Sequence, residues 1–198
     1  PVVLHHQAGI PESDKSIGLL NFIYKYLEKL AIASSTKSVC VGYSTEKKIT
    51  HILNIPSRKY TTICNGIHTT LFGNEKAKSS RRLREILQIS DDKIIIGNTN
   101  RLSKLKGNEY LIQAIEIIES KKSTIPFCCV FLGEGEEIHY LQQLVAKAGL
   151  DNEIRFLGFR DDVNQLIGGF DIYCSPTLRE GLSISSLEAM ASVLPIIT

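Results

Sequence analysis

Residues 171–198 read "DIYCSPTLREGLSISSLEAMASVLPIIT", and this stretch contains three segments that differ in hydrophobic pattern. "DIYCSP" and "LPIIT" are short apolar runs, as is typical of buried strands. The segment between them, at about residues 183–192, has the pattern of a short helix. A strand, a helix and a second strand in succession predict two parallel strands joined by a helical crossover.

The same alternation continues towards the N-terminus as far as residue 92. Strands are predicted at "KIIIGNTN" (93–100), "IPFCCVFLG" (125–133) and "EIRFLG" (153–158), with helices at 108–120, 136–149 and 161–169. In the helix at 108–120 the apolar residues recur at helical spacing, at Leu111, Ala114, Ile115 and Ile118. The helix at 136–149 ends in Gly149, as expected of a C-cap. Near-continuous apolar strands that alternate with helices predict an α/β fold, a doubly wound parallel sheet covered on both faces.

The first 73 residues have a second, incomplete α/β pattern. Strands are predicted at "PVVLHHQ" (1–7), "KSVCVGYS" (37–44) and "KYTTICNG" (59–66), and helices at 17–34 and 45–55. The sequence therefore predicts a partial α/β domain over residues 1–73, a linker with a short basic helix at 81–89 over residues 74–91, and a second domain over 92–198. Because the chain starts directly in one strand and stops as another finishes, we interpret it as an internal fragment, truncated at the C-terminus of the second domain.

Composition argues against several classes of protein. Hydrophobic residues make up 43% of the chain and charged residues 22%, which is enough for a packed core. A net charge of +2 is too small to indicate a nucleic-acid partner. Apolar runs stay far below the ~18 residues that a membrane span needs. Five cysteines without a CxxC pair indicate reduced, packed thiols in a cytoplasmic protein rather than a metal site.

Five cations lie close together around the linker, and they allow two interpretations. The first is a solvated linker and helix face. The second is peripheral contact with anionic lipid at the inner face of a membrane. The residues concerned are Lys76, Lys78, Arg81, Arg82 and Arg84.

Parallel sheets bind ligands at the carboxyl ends of their strands, and this rule selects four polar loops. In the first loop, Arg101 and Lys106 suit an anionic ligand, since Arg offers a planar fork of donors and Lys a compact charge. In the second, Gly133 and Gly135 let the backbone approach a flat ligand closely. Each of these loops, taken alone, is also compatible with an ordinary solvated turn, since Lys, Arg and Gly are common in loops. The four loops are 98–107, 133–137, 158–162 and 175–183.

The last loop leads into a helix N-terminus that is flanked by two acids. The free N–H groups of the first turn form an anion site, to which serine hydroxyls at 183, 185 and 186 add donors or caps. Glu180 precedes this turn and Glu188 follows within the helix. A carboxylate accepts two hydrogen bonds from a vicinal diol, so both acids are candidates for holding sugar hydroxyls beside a phosphate. The alternative is that both are ordinary surface acids.

Five motifs, in this order and spacing, resemble those of the retaining glycosyltransferases of the GT-B fold, known as glycosyltransferase family four or glycosyl transferases group 1. The resemblance runs from about residue 39 to residue 198. The motifs are "YTTICNGIHTTLF", "NRLSKLKGNEYLIQAI", "FLGEGEEIHYLQQLV", "IRFLGF" and "DIYCSPTLREGLSISSLEAMA".

The resemblance implies a Rossmann-like donor domain over residues 92–198 and the C-terminal half of the acceptor domain over residues 1–73. It implies that the enzyme moves a sugar from a nucleotide-diphosphate-sugar donor to a glycan, lipid-linked or small-molecule acceptor. No metal and no cofactor other than the donor substrate are implied, and the chain has no DxD motif. As a fragment, this polypeptide is expected to bind nucleotide without necessarily catalysing turnover.

The resemblance also implies roles for individual residues. In the catalytic set, Arg101 and Lys106 bind the diphosphate, Glu180 lies by the donor sugar, and His6 lies near the acceptor, with His5 and Gln7 as alternatives. The remaining residues bind the donor. Gly133 and Gly135 line the nucleotide pocket, Gly158 and Phe159 contact the base, the backbone of Gly181, Leu182 and Ser183 meets sugar and phosphate, and Glu188 binds the ribose hydroxyls.

The sequence departs from the family pattern at two places in residues 92–198. Asn100 stands where a glycine usually precedes the arginine, and Val193 and Leu194 replace the usual small residue before Pro195. Two alternative functions remain open: a GT-B nucleotide-sugar 2-epimerase, and a non-catalytic nucleotide-sugar-binding module. A dehydrogenase is disfavoured because no GxGxxG follows a first strand.

Overall fold

The computed structural model describes residues 2, 4–7, 18–73, 75–121 and 124–198. The chain divides into two compact units. The first comprises residues 1–66 with 179–183, and the second comprises residues 67–178 with 184–198. The ends of two predicted elements, at residues 1, 3 and 17, lie outside the described residues.

The first unit contains a parallel sheet with helices. Its three strands are ordered β1-β2-β3, and β2 pairs in parallel with both neighbours. Ile32, Cys40, Ile49 and Tyr60 are among the buried residues of its core. The elements are β1 (Leu4–Gln7), α1 (Gly18–Ser34), β2 (Lys37–Cys40), α2 (Tyr43–Leu53) and β3 (Tyr60–Thr62).

The second unit contains a five-stranded sheet in the order β6-β5-β4-β7-β8, in which every pair of neighbours is parallel. This arrangement confirms the predicted α/β class and the doubly wound parallel sheet. The strand order reverses at β4, and ligands of such sheets bind at the carboxyl ends of the strands beside the reversal. The strands are β4 (Ile94–Thr99), β5 (Phe127–Leu132), β6 (Ile154–Phe156), β7 (Ile172–Cys174) and β8 (Ile196–Ile197).

Helices pack against both faces of this sheet. All six residues of β5 are buried, and they alternate between two cores, which explains the continuous apolar run of the strand. Cys128 faces one core together with Leu83 and Phe170, whereas Cys129 faces the other with Leu111. The helices are α3 (Lys76–Leu87), α4 (Asn108–Ser120), α5 (Ile138–Ala148), α6 (Val163–Leu166) and α7 (Ile184–Ala191).

Two helix predictions were wrong in detail. In α4 the buried apolar residues are Leu111, Ile112 and Ile115, whereas Ala114 and Ile118 are exposed. The hydrophobic stripe is therefore rotated around the helix axis by roughly 60°, about a sixth of a turn, from its predicted position. The basic helix α3 begins at Lys76, five residues before its predicted start, because Ser79 and Leu83 in its first turns are already buried.

Three of the five cations around the linker have partners within the second unit. Lys78 Nζ lies 2.8 Å from Glu75, and Arg82 Nη2 lies 2.6 Å from Asp162. Arg84 points inwards and donates hydrogen bonds from Nη1 to the carbonyls of Ser90 and Lys93, at 2.9 and 3.0 Å. These contacts support a folded helix face over a lipid-binding arm. Among the described helices, none has the length and apolar character needed to cross a membrane.

Candidate functional site

A cleft of about 370 Å³ lies in the second unit, where the β4, β5 and β6 loops meet α7. It brings together four residues that the sequence singled out: Arg101, Gly133, Phe159 and Glu188. Seven further residues complete the lining: Thr99, Asn100, Leu132, Glu134, Arg160, Val163 and Ser185.

The glycines of the β5 loop allow two loops to pack backbone against backbone. Gly133 has a φ of 146°, and a Cβ atom there would lie 1.9 Å from the Asn100 carbonyl oxygen. A Cβ atom on Gly135 would lie 2.2 Å from the Leu102 carbonyl oxygen. The sequence predicted that these glycines serve close approach to a ligand. In the structure, packing of the β5 loop against residues 100–102 already requires both of them.

Arg101 lies at the edge of the cleft and pairs with the β5 loop. Its Nε and Nη2 donate hydrogen bonds to Glu136 Oε2 at 3.2 and 3.1 Å. A backbone hydrogen bond within Glu136 and the nearby Arg101 guanidinium hold the pKa of Glu136 below its ordinary value. The guanidinium that was predicted to hold a diphosphate therefore has a carboxylate partner in this structure.

Lys106 lies further along the same loop, in a 3₁₀ turn formed by Lys104–Lys106. It is partly buried, and its backbone N–H donates to the Ser103 carbonyl at 2.9 Å. Lys106 is not one of the described residues that line the cleft. The structure thus brings Arg101 into the cleft but not the second predicted cation.

Glu188 also lines the cleft, in the second turn of α7. The helix begins at Ile184, one residue after the predicted start. Burial raises the pKa of the Glu188 carboxyl above its ordinary value. Tyr173 packs in the core beneath, and its hydroxyl donates to the Thr99 carbonyl oxygen at 3.3 Å. This wall therefore presents a partly desolvated carboxylate to the cleft.

The β6 loop forms a third wall. Phe159 is 73% exposed, so its ring is available to a ligand. Gly158 has a left-handed backbone, and its carbonyl accepts a hydrogen bond from the Gly133 amide at 2.8 Å. The next residue, Arg160, donates from Nε and Nη2 to Asp162, at 2.7 and 2.8 Å. A flat ring and a fixed cation thus lie side by side.

The remaining predicted residues lie in the first unit. Residues 180–183 belong to it, and Leu182 is held there by a 3.0 Å hydrogen bond from Asn65 Nδ2 to its carbonyl. Glu180 is exposed, and so is His6 on β1. His5 differs from its neighbour, because its Nε2 lies 3.4 Å from a carboxylate oxygen of Glu28.

Sequence reasoning missed several residues of the cleft. Asn100 was noted as a departure, but its side-chain amide is buried without a hydrogen-bond partner among the described residues, and it lines the cleft. Glu134, Glu136 and Arg160 belong to predicted polar loops, and no individual role was predicted for any of them. The spacing of Arg160 and Asp162 could have predicted their ion pair, because side chains two residues apart in an extended loop lie on the same side.

Comparison with known proteins identifies relatives. Residues 79–198 match the family model described as Glycosyl transferases group 1. The chain is 30% identical over 175 residues to an uncharacterised glycosyltransferase of Methanocaldococcus jannaschii, covering 86% of this chain and 44% of that protein. A second relative is the UDP-Gal:alpha-D-GlcNAc-diphosphoundecaprenol alpha-1,3-galactosyltransferase of Escherichia coli. The chain is 24% identical to it, over all of this chain and 51% of that protein. The chain therefore spans about half the length of the curated relatives it matches.

Solved structures show the same fold. The crystal structure of HepE from Anabaena in complex with UDP-glucose matches with a TM-score of 0.82 at 20% identity, over 98% of this chain and 52% of that one. WaaG, a glycosyltransferase involved in lipopolysaccharide biosynthesis, matches with a TM-score of 0.79 at 16% identity, over 99% of this chain and 56% of that one.

Proposed function

The chain belongs to the glycosyl transferases group 1 family, and we propose that it is the part of a retaining glycosyltransferase that binds a nucleotide-diphosphate sugar. The observation that carries this proposal is the cleft of the second unit, where Arg101, Phe159 and Glu188 meet. The Arg101 cation suits the diphosphate of one ligand, the exposed Phe159 ring suits its base, and the Glu188 carboxylate suits its ribose. The acceptor is proposed to be a glycan or a lipid-linked sugar.

Three walls of the cleft suit the three parts of a nucleoside diphosphate. The Arg101 fork matches phosphate oxygens. The Glu188 carboxylate accepts hydrogen bonds from the two ribose hydroxyls, and its partial burial strengthens those bonds because water competes less. The Phe159 ring offers an apolar face to a base. Gly133 and Gly158 join these walls through one backbone hydrogen bond.

The transfer itself breaks the bond between the anomeric carbon and the diphosphate oxygen, and the electron pair leaves with the nucleoside diphosphate. The acceptor oxygen forms the new bond and loses its proton. The chemical demand is stabilisation of negative charge on the leaving oxygen. A unit charge pair at ~4 Å is worth roughly 4 kcal/mol at an effective dielectric of 20. Arg101 accelerates the reaction to the extent that it binds the transition state more strongly than the ground state. Lys106 does not line the cleft, and its predicted contribution stays a proposal.

The other predicted roles are part of the proposal. Residues 92–198 form the donor domain and residues 1–73 contribute to the acceptor domain. Glu180 and the backbone of residues 181–183 contact the donor sugar, and His6 contacts the acceptor side. Because cations and backbone donors can neutralise the leaving group, the proposal needs no metal ion and no cofactor besides the donor.

The proposal is tested first by binding. UDP, GDP and ADP and their sugars are titrated by calorimetry into the wild type, Arg101→Ala and Glu188→Ala. Saturable binding that both variants weaken by tenfold or more is the expected result. If no nucleoside diphosphate binds, or if both variants bind as tightly as the wild type, the proposal fails. In the full-length enzyme, product analysis with and without acceptor distinguishes transfer from epimerisation.

A further inference from the structure

The guanidinium of Arg160 is fixed by one edge only. Its Nε and Nη2 donate to the two oxygens of Asp162, at 2.7 and 2.8 Å. A guanidinium has five N–H groups, so Nη1 and the second hydrogen of Nη2 form another donor edge. Among the described residues, none accepts a hydrogen bond from Nη1 of Arg160. Arg160 lines the cleft and its side chain is 28% exposed, so this second edge is the part of the guanidinium left to meet a ligand there.

Asp162 is in turn held from the other side. Arg82 Nη2 of α3 lies 2.6 Å from Asp162 Oδ2, and Nη1 of Arg82 donates to Gln165. The Asp162 side chain is 11% exposed, and the hydrogen bonds from Arg160 lower its pKa. Asp162 therefore stays ionised and orients Arg160 before any ligand binds, so that binding costs little side-chain entropy.

The surroundings of Arg160 suit a flat ring with a polar edge. The adjacent Phe159 ring is exposed, and Val163 adds apolar surface to the same cleft. Glu134 also lines the cleft, on the neighbouring loop. Phe159 and Val163 can cover the face of a nucleobase, whereas the Arg160 edge can only donate hydrogen bonds.

We propose that Arg160 determines which nucleobase the cleft accepts, and that it selects bases with a carbonyl oxygen at the edge it faces. This inference rests on the proposed function. An oxo base, such as uracil or guanine, accepts the donors of Arg160. Cytosine and adenine place an amino group at the corresponding position, so the Arg160 N–H that faces it meets a second donor and stays unpaired, even if its neighbour reaches a ring nitrogen. An unmade hydrogen bond to a charged group lowers affinity by roughly tenfold to a hundredfold.

Calorimetric titration with UDP, CDP, GDP and ADP tests the inference. UDP and CDP form the sharpest pair, because their rings differ only at C4, which carries a carbonyl or an amino group, and at the adjacent N3, which is protonated in uracil and a bare acceptor in cytosine. For the wild type, we expect UDP to bind at least tenfold more tightly than CDP, or GDP at least tenfold more tightly than ADP, and the pair with the larger ratio identifies the base. Arg160→Met keeps the unbranched stem of the side chain, to about the position of Nε, but removes its donors, and it should reduce that ratio to within about threefold.

Two further variants separate positioning from folding. Asp162→Asn should lower the same ratio with little effect on diphosphate binding, because it loosens Arg160 without removing it. Arg160→Lys keeps the charge but lacks the fork, and its ratio should fall between those of the wild type and Arg160→Met. Melting temperatures verify that each variant is folded.

The outcomes distinguish this inference from the proposed function. A ratio that stays unchanged in Arg160→Met overturns the role of Arg160. Equal wild-type affinity for all four nucleotides also overturns it, while leaving the proposed function intact. If none of the four nucleotides binds, the proposed function itself has failed.

Discussion

Arg101 and Glu136 form an ion pair between two loops that border the cleft, with Nη2 of Arg101 3.1 Å from Oε2 of Glu136. Both side chains are mostly exposed. The Arg101 guanidinium is the group proposed to bind the diphosphate, and Glu136 takes its Nε and Nη2 edge. A phosphate therefore either displaces Glu136 from that edge or binds the remaining edge beside a repulsive carboxylate.

Glu136→Gln should therefore tighten the binding of UDP. The substitution removes a competing carboxylate and a repulsive charge, and because exposed ion pairs are weak, we expect the Kd to fall by roughly twofold to fivefold. Calorimetry at low and high salt measures this, and the gain should shrink in high salt. Glu116→Gln, at an exposed position of α4, is the matched control and should leave the Kd unchanged. An unchanged or higher Kd for Glu136→Gln would show that Glu136 assists Arg101 instead of competing with it.

Glu188→Gln should stabilise the fold and weaken the binding of UDP. Burial raises the pKa of Glu188. Between the ordinary carboxyl pKa and this raised pKa, Glu188 is protonated in the native state and ionised in the unfolded state. Wild-type stability then falls over that window, and Gln removes the cost. We expect the variant to be the more stable protein at pH 7, and the difference to disappear below about pH 4, near the unperturbed pKa of Glu.

Denaturant unfolding from pH 3 to pH 8 measures this difference. A stability gain for Glu188→Gln that is the same at all pH values would remove the titration argument. UDP and 2′-deoxy-UDP test the binding side. The wild type should prefer UDP, because a carboxylate binds both hydroxyls of the diol, and Glu188→Gln should lose most of that preference.

The fold could be predicted from the sequence because each element of the second unit carries its own signal. Six apolar residues in a row made β5 a buried strand, and Gly149 marked the end of α5. The inward face of α4 was predicted wrongly because apolar residues surround much of that helix. Its burial is decided by the sheet, and periodicity cannot distinguish Ile112 from Ile118.

The candidate site was only partly predictable. Arg101 and Glu188 stood out because they lie at the carboxyl edge of the predicted sheet and match motifs of the family, whereas their charge alone was also compatible with solvent-exposed positions. Arg160 did not stand out, since its importance depends on Asp162 and on Arg82, which is 80 residues from Asp162 along the chain. Contacts between distant residues leave no local pattern in a single sequence.

Arg84→Met should destabilise the second unit. The Arg84 side chain is 12% exposed, donates to two backbone carbonyls and lies 3.6 Å from Asp171. Its removal leaves these acceptors without their donor, which costs about 2–3 kcal/mol in free energy of unfolding. Arg81→Met on the exposed face of α3 is the control, with an expected change within about 0.5 kcal/mol. Chemical denaturation measures both, and equal effects would mean that Arg84 is not a structural residue.

Val193→Gly should stabilise the protein at the end of α7. Val193 has a φ of 58° and is 81% exposed. Its N–H donates to Met190 and that of Leu194 to Ala189, at 3.0 and 3.2 Å, which is the hydrogen-bond pattern of a Schellman cap. A left-handed backbone costs an L-residue roughly 1–2 kcal/mol, and a β-branched side chain is among the least suited to it. Glycine relieves this strain but loses more entropy on folding, so we expect a net gain of about 1 kcal/mol.

Thermal and chemical unfolding of Val193→Gly measure that gain. Gln88→Gly supplies an independent case, since Gln88 has a φ of 54° at the end of α3 and should also be stabilised. Lys121→Gly is the opposite control: Lys121 follows α4 with a φ of −80°, where glycine relieves no strain and should destabilise. If Val193→Gly destabilises as Lys121→Gly does, the valine methyl groups contribute more through packing than the left-handed backbone costs. The departure from the family pattern before Pro195 would then be a stabilising one.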